Sequence, residues 1–212
     1  IDNVREDGCT RTREYKAELE VFPSGVTTLT WNASHSAQGF RQVHDGQNEK
    51  LQGWVERHCG SAPVLLDLYG GSGNLSLGLA ERYGEIHCVD VGAPSSKGEG
   101  LPANFHLHRS PVLPWLQKAR SNLVGAQKIE AILDPPREGL GPELAPIAEI
   151  LKSLPVGRIL LVGCDADSWA RTASRLVRYG WELSSVGALD FFPQTHHVEA
   201  LAVLDRRIDL TH

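Results

Sequence analysis

Two stretches near the end of the chain carry residue types that could perform nucleophilic and acid–base chemistry. Cys164 closes the apolar run GRILLVGC, and Glu199 stands near the start of another, VEALAVLD. A carboxylate that enters an apolar strand costs free energy unless it is paired or used. A thiol nucleophile with a carboxylate base suits addition to an electron-poor ring, followed by removal of a proton. The sequence therefore predicts that Cys164 and Glu199 act together.

The residues around Cys164 would shift its pKa in opposite directions. A helix is predicted from Asp167 to Tyr179, and the dipole at its N-terminus would lower the pKa of the thiol. Asp165 and Asp167 would raise that pKa, because a nearby carboxylate disfavours a second anion. A lone cysteine is often structural, so the sequence leaves both a structural and a functional interpretation open.

A glycine-rich turn follows the apolar strand VLLDLYG, residues 64–70. Gly71 and Gly73 would let a ligand approach the backbone closely. Asp90 ends the next strand, 19 residues after Gly71, where dinucleotide sites place the carboxylate that binds ribose hydroxyls. The dinucleotide fingerprint is only partly present, and D-x-x-x-G-x-G starting at Asp67 is typical of S-adenosylmethionine sites. A tight turn between a strand and a helix may also need glycine for its own backbone conformation. This pattern alone therefore does not decide between a dinucleotide site, an S-adenosylmethionine site and a turn without a ligand.

A rigid turn follows the predicted strand KIEAILD, residues 128–134. Asp134 precedes two prolines, whose rings fix the direction of the chain. Because ligands of open α/β sheets bind at the carboxyl edge of the strands, we expect Asp134 to face that crevice. The simpler alternative is that Asp134 caps a following helix.

Strands and helices alternate through most of the sequence. Strands are predicted at 64–70, 85–91, 104–108, 128–134 and 157–164, and helices at 45–59, 75–83, 142–153 and 167–179. The last two apolar segments, WELSSVGALD and HVEALAVLD, predict an antiparallel edge pair. This order predicts a doubly wound, mostly parallel α/β sheet. Its strand ends would bring five candidate side chains to one crevice: Asp67, Asp90, Asp134, Cys164 and Glu199.

The composition narrows the class of protein. Hydrophobic residues make up 41% and charged residues 22%, as in an ordinary soluble domain. No apolar run approaches the ~20 residues of a membrane helix and no signal peptide is present, so a cytoplasmic protein without a membrane partner is expected. The four cysteines form no CxxC pair, and no metal site is expected. The chain begins with Ile1 and lacks methionine, which indicates a fragment.

The charge balance argues against a large nucleic-acid-binding surface. The net charge is −5, although a local basic patch would be enough to contact RNA. Arg171, Arg175 and Arg178 form such a stripe on one predicted helix face. A solvated helix face explains the stripe equally well. The sequence predicts an N-terminal arm with short strands at 1–44 and the main domain at 45–212.

Five segments resemble the catalytic domain of RNA uracil-C5 methyltransferases, which make 5-methyluridine in tRNA and ribosomal RNA. They are FRQVHDGQNEKL (40–51), DLYGGSGNLSLGLA (67–80), DPPREGL (134–140), GCDADSWAR (163–171) and DFFPQTHHVE (190–199). The resemblance implies a Rossmann-like class I S-adenosylmethionine-dependent methyltransferase fold with an antiparallel edge hairpin. It also implies a function in tRNA or rRNA processing, with RNA as the partner.

The resemblance assigns roles to individual residues. Cys164 resembles the nucleophile that adds to carbon 6 of uracil, and Glu199 resembles the base that removes the carbon-5 proton. Asp134 resembles the carboxylate that orients the uracil edge. The cofactor-binding residues that the resemblance implies are Gln42, Asp67, Tyr69, Gly71, Gly73, Asp90 and Asp134.

The sequence also departs from the family pattern. Gly70 stands where the family has cysteine, a change that we expect to be tolerated. Asp165 and Ala166 replace Asn-Pro after the nucleophile, and Arg109 and Ser110 replace the Gly-Asp that would hold the adenine amino group. The altered cofactor site leaves two further hypotheses: a non-catalytic homologue that binds RNA or a protein partner, and a methyltransferase with a different acceptor. The oligomeric state is not predicted.

Overall fold

The computed structural model describes residues 17–21, 27–31, 45–94, 100–191 and 198–207. The chain forms two compact units, residues 1–39 and residues 40–212. Within the first, β1 (Ala17–Val21) pairs antiparallel with β2 (Thr27–Trp31). The division predicted at residues 44 and 45 stays a prediction, because residues 32–44 lie outside the described part.

A seven-stranded sheet organises the described part of the second unit. Its strands are β3 (Ala62–Leu68), β4 (Tyr83–Asp90), β5 (Phe105–Arg109), β6 (Ile129–Leu133), β7 (Val156–Gly163), β8 (Trp181–Leu189) and β9 (Glu199–Arg206). The spatial order is β5-β4-β3-β6-β7-β9-β8. Strands β3 to β7 run parallel, and β9 runs antiparallel to both β7 and β8. The predicted α/β sheet with an antiparallel edge pair is confirmed.

Apolar runs form the centre of the sheet. All five residues of β6 are buried, as expected for a parallel strand covered on both faces. Leu65 packs in one hydrophobic cluster and Leu66 in another, because successive side chains of a strand point to opposite faces. The order reverses at β3, since the chain moves out to β5 and returns to β6 on the other side. Such a switch point opens a crevice at the carboxyl ends of the strands.

Helices cover both faces of this sheet. They are α1 (Asp45–His58), α2 (Val112–Leu123), α3 (Leu144–Ser153) and α4 (Ala166–Arg178). Leu51 and Val55 of α1 pack in the cluster on one face, whereas α2, α3 and α4 contribute to the cluster on the other. No helix in the described part combines the length and apolar composition that crossing a membrane requires.

Two elements differ from the sequence-based expectation. The helix α2 was not predicted, although Val112, Leu116 and Leu123 form its buried side. The helix predicted at 75–83 is a 3-10 helix, Leu77–Arg82, that leads directly into β4. Gly78 lowers the helix propensity of this segment. Just before it, Ser76 donates a hydrogen bond to Asp67 of β3, which holds the preceding turn against the strand.

Candidate functional site

The register of β7 and β9 places Cys164 opposite Glu199. Gly163 pairs with Ala200 at the end of the antiparallel ladder, and continuing this register by one residue sets Cys164, which follows β7, opposite Glu199. Directly opposed residues of antiparallel strands lie about 5 Å apart. Electrostatic interaction between the thiol and the Glu199 carboxyl agrees with this proximity. The structure therefore brings together the two residues that the sequence singled out for covalent chemistry.

Asp134 lies in the same crevice. Its backbone N–H donates to Leu68 O at 3.2 Å, which fixes the start of the proline turn beside β3. Burial raises the pKa of the Asp134 carboxyl well above its ordinary value, and the carboxyl groups of Glu199, Asp67 and Asp90 raise it further. Four carboxyl groups thus interact at one end of the sheet. Because burial and three neighbouring carboxyl groups all raise its pKa, Asp134 is favoured in its neutral, protonated form.

Glu199 occupies a buried position at the start of β9, with 3% of its surface exposed. Burial raises the pKa of its carboxyl to about 7, because a charged carboxylate loses its hydration there. A carboxyl with this pKa is partly ionised near neutral pH, as a general base requires.

The pKa of Cys164 is raised, in the direction of one of the two opposing effects that the sequence left open. Burial raises the pKa of the thiol, the Glu199 carboxyl raises it further, and a side-chain hydrogen bond from Arg137 opposes both. Asp165 instead caps α4, since its side chain accepts a hydrogen bond from Ser168 N at 2.8 Å. Burial and the Glu199 carboxyl thus have a larger effect on this pKa than the hydrogen bond from Arg137.

Arg137 was missed by the sequence reasoning. It belongs to the same turn as Asp134, and its guanidinium reaches the sulfur of Cys164. Ser168 Oγ donates to Arg137 O at 2.9 Å, so the N-terminal turn of α4 holds the loop in place. The available signal was a cation three residues after a predicted site carboxylate, on a turn made rigid by two prolines.

Asp67 forms the floor of the glycine-rich turn. It is fully buried, and burial raises the pKa of its carboxyl to about 6. Ser76 Oγ donates to Asp67 Oδ2 at 2.5 Å. Among the described residues Asp67 Oδ1 has no hydrogen-bond partner, although the Cys88 thiol lies nearby. The carboxyl thus lies beneath the turn and holds it through Ser76 and Cys88; the predicted contact of Asp67 with the cofactor stays a prediction.

The turn itself has the open backbone that a close ligand requires. Gly71 has φ +58°, and a Cβ there would meet nothing within 4 Å. Asp90 accepts hydrogen bonds from Gly71 N at 3.2 Å and from Gly92 N at 2.6 Å, which orients its carboxylate beside the turn. Gly73 has φ +90°, and a Cβ would lie 2.5 Å from the Phe105 ring. Open space thus lies over Gly71, while Gly73 is close-packed.

Gly70 and Asp67 occupy one shared space. A Cβ at Gly70 would lie 2.4 Å from Asp67 Cγ, far below van der Waals contact. In this chain the buried carboxyl takes the position of a side chain at residue 70. Gly70 is therefore required by this placement of Asp67.

Tyr69 makes the turn possible by a strained conformation. Its φ of 66° is the only positive value of a non-glycine residue in the described part of the chain. Its ring packs against the core on the α2–α4 side, and its hydroxyl donates to Glu143 Oε2 at 3.4 Å. A left-handed conformation of a bulky residue persists only where surrounding contacts enforce it.

The N-terminal half of α1 anchors the loops around the site. Asn48 and Asn74 exchange side-chain hydrogen bonds at 3.0 and 2.8 Å, and Gln52 Nε2 donates to Asn74 O at 2.9 Å. Gln47 Nε2 donates to Asp190 O at 2.6 Å. These amides were not predicted as site residues. Gln42, predicted to bind the cofactor, lies outside the described residues.

The described ranges contain no candidate metal centre. There, no group of three His, Cys, Asp or Glu side chains is placed to hold a metal ion. The candidate site therefore consists of a thiol, four carboxyl groups, an arginine and a glycine-rich turn.

Comparison with known sequences identifies related proteins. No protein-family model matches the chain. The 23S rRNA (uracil(1939)-C(5))-methyltransferase RlmD of Xylella fastidiosa is 35% identical over 185 residues, covering 79% of this chain and 38% of that protein. The protein of the same name from Methylococcus capsulatus is 33% identical over 181 residues, with the same two coverages. The chain thus spans about two fifths of the length of these relatives.

Comparison with solved structures agrees. The tRNA (uracil-54, C5)-methyltransferase of Pyrococcus abyssi, in complex with S-adenosyl-L-homocysteine, superposes with a TM-score of 0.57 at 25% identity and covers 91% of this chain and 44% of that chain. The N-methyltransferase NodS of Bradyrhizobium japonicum reaches 0.58 at 12% identity over 77% of this chain and 98% of its own, a likeness of fold alone. The fold is that of the methyltransferases.

The shared space of Gly70 and Asp67 gives a double-mutant test. Gly70→Ala should destabilise the chain by about 2–4 kcal/mol, because the new methyl group collides with a buried carboxyl. In an Asp67→Ala background the same change should cost less than about 1 kcal/mol. Urea unfolding of the four proteins measures both costs, with Gly125→Ala, which meets nothing within 4 Å, as the control. Equal costs in both backgrounds would contradict the steric account.

Proposed function

We propose that this chain, a homologue of the RNA uracil-C5 methyltransferases, methylates carbon 5 of a uridine in RNA with S-adenosylmethionine as the methyl donor. The observation that carries the proposal is the proximity of Cys164, which follows β7, to Glu199 at the start of β9, in a chain related to proteins named for this reaction. We further propose a cytoplasmic reaction on tRNA or rRNA, as the names of these relatives suggest.

The residues at the glycine-rich turn fit S-adenosylmethionine, which supplies an electrophilic methyl group when bound. Asp90, beside the open Gly71, would hold the ribose hydroxyls. The Gly71–Gly73 turn, supported from below by the buried Asp67 carboxyl, would hold the amino-acid portion. Ser110 offers no carboxylate to the adenine amino group, and its backbone N–H is used by Asp90 O at 3.1 Å. We therefore expect weaker adenine selection than a carboxylate would give.

Cys164 begins the proposed reaction as a thiolate. Because burial and Glu199 raise its pKa, only a small fraction of the thiol is ionised at neutral pH. The hydrogen bond from Arg137 favours the anion and partly offsets this cost. The thiolate then forms a bond to carbon 6 of the uracil, and the π electrons of the C5–C6 double bond move toward carbon 5 and the O4 carbonyl.

Glu199 completes the proposed reaction as the base. Transfer of the methyl group from the sulfonium of S-adenosylmethionine, which would leave as S-adenosylhomocysteine, would give carbon 5 both a methyl group and its original proton. The Glu199 carboxylate accepts that proton, the C5–C6 double bond re-forms, and the C6–S bond breaks to release the Cys164 thiolate. A pKa of about 7 lets Glu199 accept the proton and return it to water at neutral pH.

Asp134 suits the edge of the uracil in its neutral form. A protonated carboxyl both donates and accepts hydrogen bonds, so it can donate to the O4 carbonyl and accept from N3–H. The raised pKa of Asp134 favours this form. A hydrogen bond to O4 would also stabilise the negative charge that develops there after thiolate addition.

Binding of the cofactor is the first test. In isothermal titration calorimetry we expect S-adenosylmethionine to bind, and Asp90→Asn to weaken binding roughly tenfold or more, because a charged acceptor is lost. Glu182→Gln, an exposed change on β8, should bind as the wild type does. Absence of binding to the wild-type chain would reject the enzyme and favour a non-catalytic homologue.

The covalent step is tested with RNA that contains 5-fluorouridine. Fluorine at carbon 5 leaves no proton to remove, so the protein–RNA bond should persist in the presence of S-adenosylmethionine. Cys164→Ala should abolish this adduct in denaturing electrophoresis, and the matched change Cys59→Ala, at a buried thiol, should retain it. An adduct that survives Cys164→Ala would refute the proposed nucleophile.

The base is tested by the pH dependence of proton removal. Tritium release from RNA with 5-tritiated uridine should rise with pH as the Cys164 thiolate forms. Glu199 must also be ionised to accept the proton, so the slope of log rate against pH should be steeper by up to one below about 7 than above it. Glu199→Gln should lower the release rate by roughly 10²–10⁴. Glu149→Gln, exposed on α3, should keep the wild-type profile. Release by Glu199→Gln at the wild-type rate would exclude Glu199 as the base.

A further inference from the structure

We propose that a groove along α4 binds the phosphate backbone of the RNA whose uridine enters the site; this inference rests on the proposed function. The groove has a volume of about 540 Å³. One wall is α4, with Arg171, Arg175 and Arg178, and the other is the loop Glu138–Gly141 that continues from the Asp134 turn. The basic stripe of the sequence thus lines a concavity rather than a convex helix face.

The charge of the groove is unbalanced. All three arginines are exposed. Arg171 interacts electrostatically with Asp165, but within the described residues none of the three lies within ion-pair distance of a carboxylate. Glu138 is the one acidic residue among those that line the groove. Three like charges on one helix face repel one another unless an anion lies between them. In a chain of net charge −5, such a local excess of positive charge complements a polyanion.

The spacing of the arginines fits a nucleic acid strand. Arg171 to Arg178 spans about 10 Å along the helix at 1.5 Å per residue. At the ~3.4 Å rise of one stacked strand, this row matches about three phosphates. A positively charged groove that follows the backbone is the usual site for single-stranded nucleic acid.

Hydrogen bonds and close packing connect the groove to the proposed catalytic residues. Ser168 lines it, and its hydroxyl donates to Arg137 O at 2.9 Å. Gly139, with φ +75°, packs so closely that a Cβ would lie 3.2 Å from Ser168 Cβ. Helix α4 begins at Ala166, directly after Cys164 and Asp165. A strand held in the groove therefore has a fixed position relative to the nucleophile, which favours RNA over an unrelated acidic partner.

The test compares two charge-matched double variants. Fluorescence anisotropy with a labelled oligouridylate of about twelve nucleotides is measured over a range of salt concentrations. Arg175→Gln/Arg178→Gln should reduce the slope of log K against log[salt] by about 1.4 and weaken binding roughly 10- to 30-fold near 0.1 M salt. Lys50→Gln/Arg57→Gln, on the exposed side of α1 over the opposite face of the sheet, should leave both quantities unchanged.

The outcomes separate this proposal from the proposed function. Equal slopes and affinities in the two double variants, or no binding of oligouridylate by the wild type, would overturn the groove proposal. Binding of oligoglutamate through Arg175 and Arg178, without binding of oligouridylate, would also overturn it and assign the groove to an acidic protein. Groove-dependent RNA binding by a wild type that does not bind S-adenosylmethionine in calorimetry would support the groove while rejecting the methyltransferase.

Discussion

The site depends on the reversed direction of one strand. Strands β3 to β7 end at the crevice, whereas β9, antiparallel to β7, begins there. Only this reversal puts the first residue of β9, Glu199, beside the residue that follows β7, Cys164. A slip of one residue would turn Glu199 to the other face of the sheet. Because β9 is buried on both faces, its apolar pattern alone would not oppose such a slip. The hydrogen-bonded ion pair between Arg158 of β7 and Asp205 of β9, at 2.7 Å, fixes the register at the other end of the ladder.

The same crevice concentrates groups that oppose folding. Burial raises the pKa of Asp67, Asp134, Cys164 and Glu199, which means that the ionised forms are less stable there than in water. Functional sites commonly carry such a cost, which the rest of the domain offsets. Here the apolar clusters on the two faces of the sheet supply the opposing stability. Arg137, which is exposed, lowers the pKa of Cys164 through a hydrogen bond and so offsets only part of this cost.

The sheet could be predicted from the sequence because its central strands are continuous apolar runs. The residues that share its carboxyl edge could be predicted because parallel strands end on the same side. The sequence was insufficient where tertiary contacts decide. Burial, which is the largest cause of the raised pKa of Cys164, is not visible in the residues next to it. Arg137, Asn48 and Asn74 are polar loop or helix residues, whose partners are distant in the sequence. The 3-10 helix before β4 likewise reflects tight coupling of the turn to β3.

The shared space of residues 67 and 70 limits the evolutionary routes open to this turn. Because the carboxyl of Asp67 fills the volume that a side chain at 70 would need, the two positions cannot change independently. A larger side chain at 70 would require the Asp67 carboxyl to adopt another rotamer. Glycine at 70 is thus the precondition for the present placement of Asp67, and each position restricts the substitutions that the other can accept.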